Sequence, residues 1–197
     1  MKPSSLVGND GRTRCSWAGD DAEYQRYHDE EWGRPLHGDR PLFEKLSLEG
    51  FQAGLSWIAI LRRRAGFRAA FAEFDIDAVA AFDQGDVERL MVDPGIIRNR
   101  LKIEATISNA RVTQQLVSQH PGTLDELIWS FAPTPRLHAV NSVAEIPVTT
   151  IESTALSVAL KRLGYRFVGP ITMYALMQSG GLVDDHVAGC WRAARRA

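Results

Sequence analysis

Along most of the chain apolar residues recur at intervals of three and four, the spacing that places side chains on one face of an α-helix. Between residues 42 and 74 the rhythm runs through Leu42, Leu46, Leu55, Ile58, Leu61, Phe67 and Phe74, with interruptions at Gly50, Gly54 and Gly66. It predicts two or more helices broken or bent at those glycines. Asp75, Asp77 and Asp86 stand where N-caps or first-turn acids belong, ahead of short helices over residues 78–82 and 87–92. A longer run over residues 98–120, carrying Leu101, Ile103, Ile107 and Leu116, predicts a helix stopped by Pro121. Thr123 and Glu126 have capping-box register for the next helix. Residues 132–150, with Pro133, Pro135 and Pro147, lack the rhythm and read as a surface connection. Helices resume over residues 152–163, with Gly164 just past the last turn, and over residues 170–178. No pair of alternating segments demands a sheet, so the predicted fold class is all-α.

Composition narrows the class. The 197 residues are 45% hydrophobic and 24% charged, the balance of an ordinary globular chain, and no stretch approaches the eighteen consecutive apolar residues of a membrane span. Lys and Arg number 23 against 24 Asp and Glu, so a nucleic-acid partner gains no support from global charge and must be argued locally. Residues 1–14 lack the apolar run of a signal peptide and read as a short disordered leader. A cytoplasmic protein is expected, and nothing demands more than a monomer.

The two cysteines stand at opposite ends, each with a histidine partner: Cys15 precedes His28 by thirteen positions, and His186 precedes Cys190 by four. In a reducing compartment they stay free. Residues four apart on a helix share a face, so His186 and Cys190 could chelate one ion, with Cys15 and His28 completing a tetrahedral set that suits zinc. Small core-filling cysteines and hydrogen-bonded histidines are the other reading. His37, His120 and His138 have no such company and read as solvent-facing.

Glu49 is the one acid in the apolar and small-residue stretch of residues 48–57. It either faces solvent at a helix break or points into a pocket, where its charge is available to a cationic ligand. Trp57 lies eight positions on, about two helical turns, and Tyr24 and Tyr27 add two aromatic faces beside His28; all three also suit a plain core. Between two helical segments, Asp93-Pro94-Gly95 forms a tight turn whose free amides could hold a phosphate, with Arg98, Arg100 and Lys102 adding positive charge. Arg62, Arg63 and Arg64 form a second basic patch that also fits a solvated helix face.

Taken together, Arg14-Cys15-Ser16-Trp17, Tyr27-His28-Asp29-Glu30-Glu31-Trp32-Gly33, Leu48-Glu49-Gly50-Phe51-Gln52-Ala53-Gly54-Leu55-Ser56-Trp57, Gly95-Ile96-Ile97-Arg98 and Asp185-His186-Val187-Ala188-Gly189-Cys190 closely resemble the 3-methyladenine DNA glycosylase I family, over nearly the whole chain. The resemblance implies an all-helical domain over residues 15–197 of the helix-hairpin-helix superfamily. It also implies one structural zinc on Cys15, His28, His186 and Cys190. The implied reaction is hydrolysis of the N-glycosidic bond of 3-methyladenine in alkylated double-stranded DNA after base flipping. In that reading Glu49 accepts hydrogen bonds from the base, Trp57 stacks on it, and Tyr27 with Tyr24 completes the pocket. Gly54 and Leu55 enter the gap left in the duplex, and Gly95, Arg98 and Arg100 meet the DNA backbone. Two departures from the wider superfamily matter. Asn99 stands where bifunctional members carry a lysine nucleophile, so strand cleavage is not expected, and no Asp or Glu occurs between Ser108 and His120. The runner-up is a zinc-stabilised binding module without turnover, which would be expected to lose Glu49 and Trp57 first.

Overall fold

A computed structural model describes residues 3–118 and 120–193. The described residues form ten α-helices and one two-stranded ribbon. Strands β1 (Ser5–Val7) and β2 (Thr13–Cys15) precede α1 (Ala22–Glu30), α2 (Asp39–Gln52), α3 (Trp57–Leu61), α4 (Arg64–Ala70), α5 (Ile76–Ala80) and α6 (Gln84–Val92). Then come α7 (Arg100–Val117), α8 (Thr123–Trp129), α9 (Ile151–Arg162) and α10 (Pro170–Ser179). None of these helices is long and apolar enough to cross a membrane.

The ribbon gives residues 5–7 and 13–14 of the expected leader a regular structure, beside a body that is mostly helical. Ser5 pairs with Cys15, and Val7 with Thr13, antiparallel. Gly8-Asn9-Asp10-Gly11 between them is a turn signal of the usual kind. Arg14 then locks the ribbon to the body: its guanidinium donates to Asp10 in the turn and to Asp29 at the end of α1, at 2.6–3.1 Å.

Helix α2 is the spine. Nine of its residues, from Leu42 to Phe51, are buried, and it packs against α7 and α8 and against α10. It runs through Gly50 without a break and ends at Gln52, because Gly54 takes a left-handed φ of +83° that turns the chain into α3. Lys102 of α7 caps that end, its amine donating to the carbonyls of Phe51 and Ala53 at 2.8 and 2.6 Å. Gly66 likewise breaks nothing. It lies inside α4 where a Cβ would stand 2.4 Å from the Gly95 carbonyl oxygen, so the close approach of α4 to the turn after α6 requires a glycine.

The expected capping box at Thr123 is absent. The Thr123 hydroxyl donates to the His120 carbonyl, and Asp39, the first residue of α2, accepts the Gly122, Leu124 and Asp125 amides at 2.7–3.1 Å. The same job is done locally elsewhere, by Asp83 with Asp86 at α6 and by Thr150 with Ser153 at α9.

Candidate active site

Helices α1, α2, α3 and α10 meet around a cleft of about 320 Å³. Tyr24 and Tyr27 come from one face of α1, with ring centroids 6.4 Å apart, Glu49 and Gln52 from the end of α2, Trp57 from the first turn of α3, and Gln178 and Ser179 from the end of α10. The four residues read from the sequence as the pocket therefore lie together. The route differs for Trp57: it shares a side with Glu49 through the turn at Gly54, since no single helix spans residues 49–57.

Glu49 is buried and is the sole carboxylate in the lining. The Ser179 hydroxyl donates to its Oε1 at 2.7 Å, while Oε2 is buried with no partner. Burial pushes its carboxyl up to about 7, against the opposing pull of the Lys45 ammonium and the Ser179 hydrogen bond. The field of Glu49 in turn adds to the effect of burial in raising the Tyr24 and Tyr27 hydroxyls. The Trp57 indole nitrogen is also buried without a partner. A buried acceptor and a buried donor left unmade are costly, by about 1–3 kcal/mol each, and they mark a surface shaped for something else to complete.

Trp17 and Trp32, which sequence reasoning left without a role, also line the cleft. The Trp17 ring lies 5.0 Å from Tyr24 and 4.9 Å from Trp32. Ser179 was missed as well. It sits 130 positions from Glu49, and a polar residue closing an apolar helix was its only signal.

On the far side of Trp17 and Trp32, Cys15, His28, His186 and Cys190 converge, all buried, with ligand atoms within 4.8 Å of one another. Cys190 Sγ is 3.4 Å from His28 Nε2 and 3.6 Å from His186 Nδ1, which is 3.7 Å from Cys15 Sγ. His28 Nδ1 is paired with Asp29 Oδ1 at 2.8 Å, which turns Nε2 toward the cysteines. The hydrogen bond from Cys15 and the two rings hold the Cys190 thiol far below its ordinary value, while Cys15 is pushed up. His186 and Cys190 do not share a helix face as their spacing suggested. A turn closed by the Cys190 amide on the Val187 carbonyl at 2.9 Å brings them together.

The hairpin between α6 and α7 is less open than its sequence implied. Gly95 donates its amide to Asp93 Oδ1 at 2.7 Å, so that amide is already taken. Lys102 points inward, as described, and is not a surface cation. Arg100 is half-buried and paired with Glu88 at 2.9 Å and Glu104 at 3.9 Å. Arg98 is exposed and makes no ion pair among the described residues. Leu55 is 45% exposed beside the cleft, its amide bonded to the carbonyl of the lining residue Gln52. In the second basic patch Arg62 pairs with Asp21 and Arg64 with Glu31, so both serve α1. His37, His120 and His138 are exposed.

A helical fold that closes an aromatic cleft around one buried carboxyl group can hold a planar ring carrying hydrogen-bond donors or positive charge. Comparison with known proteins is specific: the model of the methyladenine glycosylase family matches residues 17–193, and the chain belongs to that family. It is 48% identical over 178 residues to DNA-3-methyladenine glycosylase 1 of Escherichia coli K12, covering 90% of this chain and 95% of that one. Among solved structures, a 3-methyladenine DNA glycosylase I is 44% identical with TM-score 0.88, over 92% of this chain and all of the other. Another, in complex with 3-methyladenine, is 30% identical with TM-score 0.86, over 93% of this chain and 99% of the other.

Proposed function

We propose that this protein is a DNA-3-methyladenine glycosylase, acting on alkylated double-stranded DNA by extruding the damaged nucleotide into the cleft. The observation that carries the reading is the unpartnered Oε2 of Glu49, a buried acceptor among aromatic rings. Methylation at N3 makes the base cationic while it is attached to the sugar. A carboxylate favours that ring over neutral adenine, and stacking on Trp57 and Tyr27 holds it. As the glycosidic bond breaks, its electron pair leaves with the base, which departs neutral. Water adds its oxygen to the sugar carbon and releases one proton. Glu49 is the acid that would hold the base, and among the described residues no amine lines the cleft. With Asn99 occupied as the N-cap of α7, this supports a monofunctional enzyme without strand cleavage.

The hairpin of residues 93–99 between α6 and α7 is the candidate helix-hairpin-helix element. Gly95 and the unpaired Arg98 would lie against a phosphate, Arg100 beside them, and the Gly54–Leu55 turn would enter the duplex. Lys102 ties the two together, since it belongs to α7 and holds the carbonyls that open the Gly54 turn.

The cage of Cys15, His28, His186 and Cys190 fits zinc. A tetrahedron with Zn–S bonds of about 2.3 Å and Zn–N bonds of about 2.0–2.1 Å has edges of about 3.3–3.8 Å, and the three sulfur–nitrogen separations above fall in that range. With four protein ligands no position stays open, so the ion would be structural. Asp29 holds the other ring nitrogen of His28, the kind of carboxylate that orients a histidine ligand in such sites. Free, buried thiols suit a reducing compartment such as the cytoplasm.

The test is incubation with methylated duplex DNA. 3-Methyladenine should be released above the uncatalysed rate, leaving an abasic site with the phosphodiester backbone intact. No release beyond that rate would refute the activity, and backbone nicking would refute the monofunctional assignment.

A further inference from the structure

Lys45 is buried in α2, one helical turn before Glu49, and the site as described gives it no task. Its amine lies 5.3 Å from the Tyr27 ring centroid and 5.2 Å from that of Trp57. It does not line the base cleft. It lines a neighbouring cavity of about 310 Å³, and Ser179 belongs to both walls. Among the other charges around that cavity, Arg64 pairs with Glu31, Arg68 with Glu44 at 2.8 Å and Glu30 with Arg26 at 3.5 Å, while the exposed Arg34 donates to the Asp29 carbonyl at 3.2 Å. Lys45 itself makes no direct ion pair among the described residues. The two buried charges left over are thus Lys45 and Glu49, on one helix face and four positions apart.

We propose that Lys45 is the buried counter-charge that keeps Glu49 a carboxylate toward the base, a positioning residue that acts through Glu49 from behind the aromatic wall. The inference rests on the reading of Glu49 as the acceptor for the base. Every group facing the pair is consistent with it. From α1 come Tyr24 and Tyr27, both with raised hydroxyls and so uncharged at neutral pH. From α10 comes the Ser179 hydroxyl. Facing Lys45 are Glu31, Glu44 and Arg64, and with Arg68 paired to Glu44 the two acids and two guanidiniums offset one another. Burial lowers the Lys45 amine, and Glu49 is the first of the groups that hold it up.

The experiment is the pH profile of kcat/KM for 3-methyladenine release by wild type, Lys45→Met and Lys45→Arg. An opposite charge at this range moves a carboxyl by about one pH unit. Lys45→Met should therefore shift the acid limb upward by about that much, lose about fivefold at pH 7 and approach wild type at pH 9. Lys45→Arg should keep the wild-type limb. A Lys45→Met profile that superimposes on wild type, or one lowered equally at every pH, overturns the proposal. Lys45→Gln, read by the same limb, carries the test should the methionine variant not fold. Wild-type activity in Glu49→Gln would refute the underlying reading of Glu49, and that outcome is separate from any behaviour of Lys45.

Discussion

Trp17 and Trp32 separate two clusters of buried polar atoms that are satisfied in opposite ways. In the cage the rings and thiols face one another, His28 is paired with Asp29, and amide hydrogens of Val187 and Arg192 reach the two sulfurs at 3.4 Å. One atom is left over, His186 Nε2. In the cleft Glu49 has one hydrogen bond for two oxygens, Trp57 Nε1 has none, and the rings enclose open space. The cage is closed on itself and joins the N-terminal ribbon to the C-terminal turn. The cleft is unfinished, at a cost in stability that a bound base would remove. Buried polarity alone therefore does not identify an active site; in the cleft it is a carboxylate oxygen and an indole N–H without partners beside open space that point to a ligand.

The largest effect should come from breaking the cage. Cys190→Ser, or removal of metal by a chelator, is expected to cost about 4 kcal/mol or more. At about 2–4 °C per kcal/mol for a chain of this size, that lowers Tm by about 10 °C. One equivalent of zinc should be found in the native protein and lost in the variant. A metal-free protein that melts at the wild-type temperature would make the two clusters alike in being dispensable to the fold. A smaller effect is expected at the hairpin. Arg98→Ala should weaken binding to undamaged duplex and reduce the salt slope by about 1. Arg100→Ala should do less, because Glu88 and Glu104 already neutralise it. Equal losses in the two variants, read from binding isotherms at several salt concentrations, would remove the distinction drawn between them.

The helical rhythm was legible because α4, α7 and α9 each bury one face, which imprints a period on the sequence, while α2 is buried on nearly all sides. Gly66 was misread because its close approach to the Gly95 backbone leaves no local trace, and Gly50 because a glycine inside a buried helix need not break it. The α8 cap was misread because Asp39 supplies it from more than eighty positions away. In the same way, Cys15, His28, His186 and Cys190 were legible as a donor set, but the helix assumed for His186 and Cys190 was not the means of bringing them together. Tyr24, Tyr27, Glu49 and Trp57 stood out by type and motif. Lys45 did not, since a lysine in an amphipathic helix normally reads as surface, and only the fold turns it toward Tyr27 and Trp57.

The central claim is that Glu49 is kept unfinished for the base, and Glu49→Gln tests it most directly. Its raised carboxyl means that Glu49 stabilises the fold fully only when protonated, below the ordinary carboxylate range, and that this contribution is lost as pH rises through about 7. The variant should therefore unfold no earlier than wild type at pH 8. Release of 3-methyladenine from methylated duplex DNA at that pH should nevertheless fall by at least about a hundredfold, the scale of one lost electrostatic contact to the reacting group. Release at the wild-type rate by a folded Glu49→Gln protein would contradict the account.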